Sequence, residues 1–195
     1  MTHEQLFFLD TKEITHATPA DAEDIAYIHH VSWQESYKGI IEQGYLDSLR
    51  YDDFLARRQL ILNSPQMGSI HLVAKCTKSV GFCDAGVSRT HGYKGEIYAI
   101  YILDAYKQLG IGAMLMQKAL EYFTQNDLFP SIAWVLTDNT SARRFYEKLG
   151  GVVMQEKIEK IGNHDYTEVA YAFNCLALEP YGLGLDLRTI MPPIN

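Results

Sequence analysis

Short apolar runs alternate with helical stretches along almost the whole chain. Runs with the length and alternation of β-strands cover residues 13–18, 70–74, 80–85, 96–103, 132–136, 151–160 and 165–173. Helical patterns cover residues 18–33, 51–62, the segment after Gly110 and the segment after Asp138. Between the first two helices, Gly39 and Gln43-Gly44 interrupt the pattern and predict breaks in the helix.

The order of these elements predicts an α+β fold. Hairpins at 70–85 and 151–173 flank a strand–helix–strand–helix unit, whereas a doubly wound sheet would need regular alternation of strands and helices. Thr18-Pro19 supports the first helix start, because Thr is a favoured cap and Pro a favoured first helical residue. Asn139 or Thr140 is a suitable cap for the last helix.

The most informative segment joins the strand at 96–103 to the next helix. It reads Lys107-Gln108-Leu109-Gly110-Ile111-Gly112. A glycine-rich turn before a helix presents free backbone N–H groups at the positive end of the helix dipole, so it favours a phosphate group. The sequence contains no Walker A string. A dinucleotide fingerprint is incomplete, because Leu115 stands where its third glycine would be.

A second motif lies in the last predicted helix. Asn139 and Tyr146 are seven residues apart, about two helical turns, so they lie along one edge of the helix. A Tyr hydroxyl has an ordinary pKa of about 10, so it carries a proton at neutral pH and can donate it. The alternative is that Tyr146 is a packed aromatic residue on an amphipathic helix.

Together, the two motifs resemble those of the GNAT acetyltransferases, the Gcn5-related N-acetyltransferase superfamily. The turn is similar to the family's pyrophosphate loop, Gln/Arg-x-x-Gly-x-Gly/Ala, with Lys107 supplying a cation but not a planar fork. The helix is similar to the family's Asn-x-x-Ala-x-x-x-Tyr-x-x-x-Gly-Phe pattern, except that Gly151 replaces the Phe. The matching positions in the helix are Asn139, Ala142, Tyr146 and Gly150.

The resemblance covers roughly residues 13–173. It implies the GNAT fold, a mixed, mostly antiparallel sheet of six to seven strands flanked by about four helices. It also implies acetyl-CoA as co-substrate, with no metal. The positions implied to bind this co-substrate are Ile100, Tyr101, Ile102, Lys107, Gln108, Leu109, Gly110, Ile111, Gly112, Ala113, Asn139, Ala142, Phe145 and Lys148. The first three would act through their backbone groups.

Two side chains are candidates for proton transfer. The resemblance implies that Tyr146 is the general acid, facing the thioester sulfur. Glu96 begins the strand that leads to the glycine turn, so it is the best-placed carboxylate for a general base, directly or through water. A solvated Glu at the start of a strand is the open alternative.

The first helix offers candidate acceptor contacts. It carries Trp33 and Tyr37 four residues apart, similar to a GNAT subgroup with Trp-x-x-x-Tyr beside the acceptor site. We expect both rings to line the pocket and Glu35 to hold a cationic amine. The alternative is an ordinary core stripe on an amphipathic helix. His29 and His30 lack further ligands at a recognisable spacing, so no metal site is predicted.

Composition narrows the partners and the compartment. A formal net charge of −7 argues against a nucleic-acid surface and suits a cationic acceptor, either a small molecule or a peptide. Cysteines 76, 83 and 175 show neither disulfide nor metal spacing, so a cytoplasmic location is predicted. No run approaches the length of a membrane span. Homodimers are common in the family, but the sequence specifies no interface.

The chain of 195 residues is predicted to form a single acetyltransferase domain at 1–175 with a C-terminal extension at 176–195. Two other functions stay open at this point. One is a catalytically silent acyl-CoA-binding regulatory module, and the other is an NAD(P)-binding protein, which Leu115 disfavours. The acceptor amine is not determined, because a fold does not choose among substrates.

Overall fold

A seven-stranded mixed sheet with the strand order β1-β2-β3-β4-β5-β7-β6 forms the centre of the molecule. The structure is a computed structural model that describes residues 12–174. The strands are β1 Glu13–His16, β2 Ser69–Lys75, β3 Ser79–Val87, β4 Gly95–Ile102, β5 Ser131–Leu136, β6 Val152–Ile161 and β7 His164–Phe173. The α-helices are α1 Ala22–Ser36, α2 Gln43–Ser48, α3 Tyr51–Asn63, α4 Ile111–Gln125 and α5 Thr140–Lys148.

All neighbouring strands are antiparallel except β4 and β5, which are parallel. A parallel pair needs a crossover connection, and α4 supplies it. The predicted α+β class, the mostly antiparallel sheet and its size are therefore confirmed.

Helices cover both faces of the sheet. Helices α4 and α5 pack on one face over the largest core cluster, which includes Leu115 and Phe123 of α4. Helices α1 and α3 pack on the other face over a second cluster that includes Ile25 and Phe82. We refer to these as the α4/α5 face and the α1/α3 face. Strands β4 and β5 separate near the middle of the sheet, and the gap between them connects the two faces. The candidate site lies in this region.

Most predicted elements are present, but α2 was not expected. Its second residue is Gly44, which the sequence pattern treats as a break. The side chain of Glu42 accepts hydrogen bonds from the backbone N–H groups of Gly44 (3.0 Å) and Tyr45 (2.8 Å). These bonds cap the helix start and compensate for the low helix propensity of glycine.

The start of the first helix follows the prediction with one modification. A 3-10 turn, Pro19–Asp21, precedes α1, and the Thr18 hydroxyl donates to the Asp21 carboxylate at 2.9 Å.

Within residues 12–174, no helix is long and apolar enough to cross a membrane. The predicted extension at 176–195 and Cys175 lie outside the described residues.

Candidate active site

The two central strands, β4 and β5, separate soon after they begin. They pair only over residues 95–97 of β4 and 131–133 of β5. The β3–β4 register shifts beside Asp84, because Tyr98 is an extra, bulged residue on β4. A bulge bends its strand and increases the local twist. A wedge therefore opens between the second half of β4 and the second half of β5.

Ile100, Tyr101 and Ile102 form the β4 side of this wedge, and each is partly exposed. Ile100 and Ile102 pack toward the α4/α5 face, whereas Tyr101 packs toward the α1/α3 face. In the described chain, no strand pairs with the edge of β4 that faces the wedge at these residues. Backbone groups on that edge can therefore bind a ligand. The predicted cofactor contacts of the three residues stay a prediction that this geometry allows.

Helix α4 begins at the wide end of the wedge with uncapped backbone N–H groups. Its N-cap, Gly110, has φ of +83°, no side chain caps the helix, and the first turn contains no acidic residue. The first N–H groups of a helix have no partner within the helix. The turn thus has the free donors and the positive dipole that phosphate needs. Ile111 is buried and Ala113 packs partly against the core, so backbone groups are what the first turn offers.

Close packing holds this turn beside α5. A Cβ atom at Gly112 would lie 3.0 Å from the Phe145 ring and 3.3 Å from Ile102 Cδ1. Glycine at this position therefore allows α4, α5 and β4 to approach one another at the end of the wedge. Phe145 is thus a packing residue against the turn as well as a predicted cofactor contact.

Lys107 is engaged within the protein. Its Nζ forms an ion pair with the Asp104 carboxylate and lies 3.4 Å from Ser36 Oγ. Gln108 is exposed and adopts a positive φ of 61°, and the carbonyl oxygen of exposed Leu109 accepts a hydrogen bond from Lys12 Nζ at 2.5 Å. Binding of pyrophosphate by Lys107 would therefore require its exchange away from Asp104.

Asn139 is the N-cap of helix α5, one of the two caps that the sequence allowed. The Asn139 Oδ1 atom accepts a hydrogen bond from Ala142 N at 3.0 Å, so the side chain caps the helix. This bond uses the amide oxygen and leaves the amide NH₂ as the group that could bind a ligand. The helix ends as predicted, with Gly150 at φ +81°, and Lys148 is exposed in its last turn.

Tyr146 lies on the inner side of α5 and is 6% exposed. Its ring is 5.6 Å from the ring of Tyr171 and 6.1 Å from that of Phe173, centroid to centroid. Burial raises the pKa of the Tyr146 hydroxyl above its ordinary value of 10.0, and the nearby Cys83 and Tyr37 raise it further. The phenol therefore keeps its proton at neutral pH, as a general acid must.

On the α1/α3 face, Tyr37 and Tyr101 join α1 to β4. Their hydroxyl oxygens are 3.0 Å apart, and Trp33 meets the Tyr37 ring edge-on at 5.0 Å. Burial raises the pKa of Tyr101, and both Tyr37 and Tyr146 contribute to the increase. The Tyr146 hydroxyl thus lies close enough to influence the pKa of this pair. The structure places the predicted pair Trp33 and Tyr37 near Tyr146, which was predicted from a different motif.

The two predicted carboxylates are differently placed. Glu35 is exposed and its Oε2 accepts a 3.4 Å hydrogen bond from Asp104 N, so it contacts the loop before α4. Glu96 is 5% exposed and pairs with Arg89 at 2.7 Å. Its carboxylate also accepts hydrogen bonds from the Arg89 backbone N–H (2.9 Å), Ser88 Oγ (3.2 Å) and Thr90 Oγ1 (3.4 Å). A role of Glu96 as base stays a prediction and would require displacement of these donors.

Three side chains that the sequence did not indicate lie on adjacent strands beside the wedge. Lys157 of β6 places its Nζ 4.6 Å from the centroid of the Trp134 ring on β5. The same Nζ pairs with Glu168 of β7 at 3.1 Å. Trp134 Nε1 donates to Thr90 Oγ1 at 2.9 Å, which links the group to the loop around Glu96. We call Trp134, Lys157 and Glu168 the Trp134 cluster.

The described cysteines are poor nucleophiles. Cys83 is fully buried, and burial raises the pKa of its thiol well above its ordinary value of 9.0. Burial also raises the pKa of the partly buried Cys76. A thiol that keeps its proton is a weak nucleophile, because the thiolate is the reactive form. Within residues 12–174, no group of three or more His, Cys, Asp and Glu side chains is arranged to hold a metal ion.

Comparisons with known proteins agree with this geometry. Residues 28–151 match the family model described as the acetyltransferase (GNAT) family. The uncharacterised N-acetyltransferase YuaI of Bacillus subtilis is 32% identical over 129 residues, which are 62% of this chain and 69% of YuaI. An uncharacterised N-acetyltransferase of Archaeoglobus fulgidus is 32% identical over 139 residues, 69% of this chain and 88% of that protein.

Solved structures share the fold. The PaiA N-acetyltransferase of Thermoplasma acidophilum, in complex with coenzyme A, superposes with a TM-score of 0.64 at 21% identity, covering 84% of this chain and 99% of that one. YncA of Salmonella typhimurium, described as a putative acetyltransferase with its cofactor acetyl-CoA, gives a TM-score of 0.62 at 18% identity, covering 84% and 94%. The shared fold is that of an N-acetyltransferase. The chain belongs to the GNAT acetyltransferase family.

Proposed function

We propose that the protein transfers an acetyl group from acetyl-CoA to a primary amine of a small molecule or peptide, by direct attack within a ternary complex. The neutral amine attacks the thioester carbonyl carbon, a C–N bond forms, and the C–S bond breaks. Tyr146 donates its proton to the leaving thiolate and regains one from solvent. One of the two amine hydrogens leaves to solvent as a proton and the other stays on the amide nitrogen, so the products are an amide and CoA thiol.

The observation that carries this proposal is the wedge between β4 and β5, which ends at the uncapped start of α4. The free N–H groups beside Gly110 follow the β4 side of the wedge, and the Tyr146 hydroxyl lies close enough to Tyr101 on that side to influence its pKa. A phosphate-bearing thioester fits this arrangement, because its anionic end favours the helix N-terminus and its reacting end would lie beside a protonated phenol. The CoA and acetyl-CoA bound to PaiA and YncA support the choice of donor.

Direct transfer is favoured over a covalent acetyl-enzyme. A ping-pong reaction needs an activated nucleophile such as a thiolate. Burial works against a thiolate at both described cysteines, since it raises the pKa of Cys83 and Cys76. The initial rates should therefore give intersecting lines when both substrates are varied, and parallel lines would contradict the ternary complex.

The test is an acceptor screen. Acetyl-CoA is incubated with the protein and a panel of primary amines that includes amino acids, arylalkylamines, polyamines and peptides with free N-termini. Release of CoA thiol above the rate without amine, with acetylated product identified by mass spectrometry, is the expected result. Calorimetry with CoA measures donor binding independently of turnover.

A second candidate is the silent acyl-CoA-binding module. It is favoured by the full engagement of Glu96, the best-placed base in the sequence, with donors from residues 88–90. Tight binding of CoA without thiol release for any amine in the panel would support this second function and would count against the enzyme. Failure to bind CoA would contradict both.

A further inference from the structure

The Trp134 cluster forms a binding arrangement for an ammonium group, and the protein's own Lys157 occupies it. The sheet order β5-β7-β6 places Trp134, Glu168 and Lys157 on three neighbouring strands. The Lys157 ammonium lies over the face of the Trp134 ring at 4.6 Å and pairs with the Glu168 carboxylate at 3.1 Å. An aromatic face and a carboxylate together attract a cation. The internal lysine thus shows which kind of group this surface binds.

The cluster lies next to the groups that face the wedge. Glu168 is the cross-strand partner of Leu136, which packs in one apolar cluster with Trp33 and Tyr37. The charge of Glu168 acts on the Tyr37 hydroxyl and raises its pKa. Since the Tyr37 hydroxyl bonds to that of Tyr101 on β4, the same hydroxyl is within the electrostatic influence of Glu168 and in contact with the β4 side of the wedge. An ammonium at Glu168 would thus lie at the edge of the wedge.

Glu168 also differs from the other two carboxylates in how it is held. Glu96 accepts hydrogen bonds from Arg89, Ser88 and Thr90 in the loop before β4, and Glu35 is exposed at the Asp104 loop. The Glu168 side chain is 16% exposed, and its ion-pair partner is a flexible, 41% exposed lysine. A lysine is readily displaced, because its ammonium can be solvated in water once it leaves.

The titratable groups around Glu168 come from three parts of the chain. Lys157 and Glu159 face it from β6, Glu96 from β4, and the neutral Tyr37 from the residue that follows α1. Burial raises the pKa of Glu168, the two carboxylates raise it further, and the Lys157 ammonium opposes this increase without reversing it. When Lys157 leaves, the opposing effect is lost and the carboxylate becomes a stronger base.

We propose that Glu168 receives the ammonium of the acceptor in place of Lys157 and takes its proton, with the Trp134 ring as the floor of the site. This inference rests on the proposed acetyl transfer and names its acceptor class, a primary alkylammonium. One N–H bond of the ammonium breaks and the proton moves to a Glu168 oxygen. The neutral amine then attacks the thioester, and Glu168 releases the proton to solvent.

Binding tests the site without any turnover. The probe is phenethylammonium, and its neutral counterpart is 2-phenylethanol, each added to the CoA-bound protein. The chain contains two Trp residues, so the Trp134 indole N–H signal can be assigned by NMR with Trp134→Phe. We expect saturable shifts of this signal with the ammonium and none with the alcohol. Equal shifts with both probes, or no saturable shift with either, would overturn the proposal.

Matched variants separate the two carboxylates that pair with Lys157. Glu159 also pairs with Lys157, at 3.0 Å, but is more exposed than Glu168. Glu168→Gln should weaken phenethylammonium binding at least tenfold, whereas Glu159→Gln should change it less than twofold. Equal losses in both variants would show that the ammonium is bound by general negative charge and would contradict a specific site.

A variant that should bind the probe more strongly separates loss of the site from loss of the fold. Lys157→Met removes the internal competitor and should strengthen phenethylammonium binding several-fold, an effect that a damaged fold would not produce. Weaker binding in Lys157→Met would refute the displacement.

For an amine turned over in the screen, the acid limb of the kcat/KM pH profile should vanish in Glu168→Gln and persist in Glu96→Gln. The reverse pattern would assign the base to Glu96, and ammonium binding without thiol release would reject only the proposed transfer.

Discussion

Among single residues, Tyr146 has surroundings very different from those of an exposed phenol. It is enclosed by the rings of Phe145, Tyr171 and Phe173, and burial raises the pKa of its hydroxyl. An acid that is always protonated donates efficiently only to a strong base, and a thiolate expelled into a buried site is one. The same burial that stabilises the core therefore suits the chemistry of the leaving group.

Tyr146→Phe should lower turnover by roughly 10²–10⁴-fold, the range for loss of a general acid, while acetyl-CoA affinity stays within about twofold. Thiol release and calorimetry measure the two quantities. Tyr171→Phe is the matched control, because Tyr171 belongs to the same group of stacked rings. Its hydroxyl donates a hydrogen bond to Glu147 at 2.7 Å. Turnover that is equal in Tyr146→Phe and the wild type would remove Tyr146 from the mechanism.

His29 is a second residue with an unusual environment. It lies among the rings of Phe54, Phe82 and Tyr101 at 4.8, 5.2 and 5.0 Å. Burial, and then the nearby Arg58, lower the pKa of His29 from 6.5 to about 3. Between these values the unfolded chain binds a proton that the folded protein excludes, so folding stability falls as the pH drops below 6.5.

His29→Phe keeps a ring in this position and removes the titration. Each pKa unit corresponds to about 1.4 kcal/mol, so between pH 7 and pH 5 the wild type should lose roughly 2 kcal/mol more unfolding free energy than the variant. Urea unfolding at the two pH values gives both numbers. If the two proteins lost the same amount, His29 would not be the group that carries this sensitivity.

At the scale of elements, the start of α4 combines two separable properties, a left-handed backbone and free N–H groups. A side chain at Gly110 or at Gly92 would meet no atom within 4 Å, and both residues have positive φ, +83° and +87°. Gly110→Ala and Gly92→Ala should each cost about 1 kcal/mol of stability through backbone strain alone.

Their effects on acetyl-CoA binding should differ. Gly110→Ala disturbs the turn that orients the first N–H groups of α4, so acetyl-CoA affinity should fall about tenfold, whereas Gly92→Ala lies in another loop and should leave it unchanged. Calorimetric titration with acetyl-CoA checks this. A similar small change in both variants would argue that the turn does not bind the pyrophosphate.

Elements with strong local signals could be predicted from the sequence. The strand–turn–helix unit around Gly110 and the cap of α5 by Asn139 depend on neighbouring residues, and both are present. Helix α2 could not be predicted, because its start depends on the capping side chain of Glu42 rather than on apolar periodicity.

Side-chain contacts that depend on the pairing of distant strands and loops could not be predicted from the sequence. Glu96 looks free in sequence, and only the fold of residues 88–90 brings Arg89 onto its carboxylate. Trp134, Lys157 and Glu168 meet because β7 inserts between β5 and β6, against their order in the chain. The local sequence pattern specifies single helices and strands, whereas the surroundings of Glu96 and the Trp134 cluster depend on how the strands pair.

At the scale of the whole molecule, the wedge leaves the sheet incompletely paired at its centre. The antiparallel half β1–β4 and the half β5–β7 share a ladder only at residues 95–97 and 131–133. A ligand that fills the wedge contacts both halves, so its binding should stabilise the fold as a unit rather than locally.

Saturating acetyl-CoA, at about 100 times its Kd, should add roughly 2.7 kcal/mol to stability and raise the Tm by roughly 5–10 °C. Differential scanning fluorimetry measures the shift, and hydrogen exchange should show new protection at residues 98–102 of β4. NADH at the same concentration is the control and should leave the Tm unchanged. An equal shift with NADH would revive a dinucleotide-binding function.

The close contact at the end of α5 has a consequence for how this sequence can vary. A Cβ atom at Gly151 would lie 2.8 Å from the ring of Phe173, so the direction that a Phe at position 151 would take is already filled by a ring from β7. The departure of Gly151 from the family pattern is thus coupled to the aromatic residue at 173. We expect the two positions to covary among relatives: a bulky residue at 151 requires a small one at 173, and either change alone should be harmful.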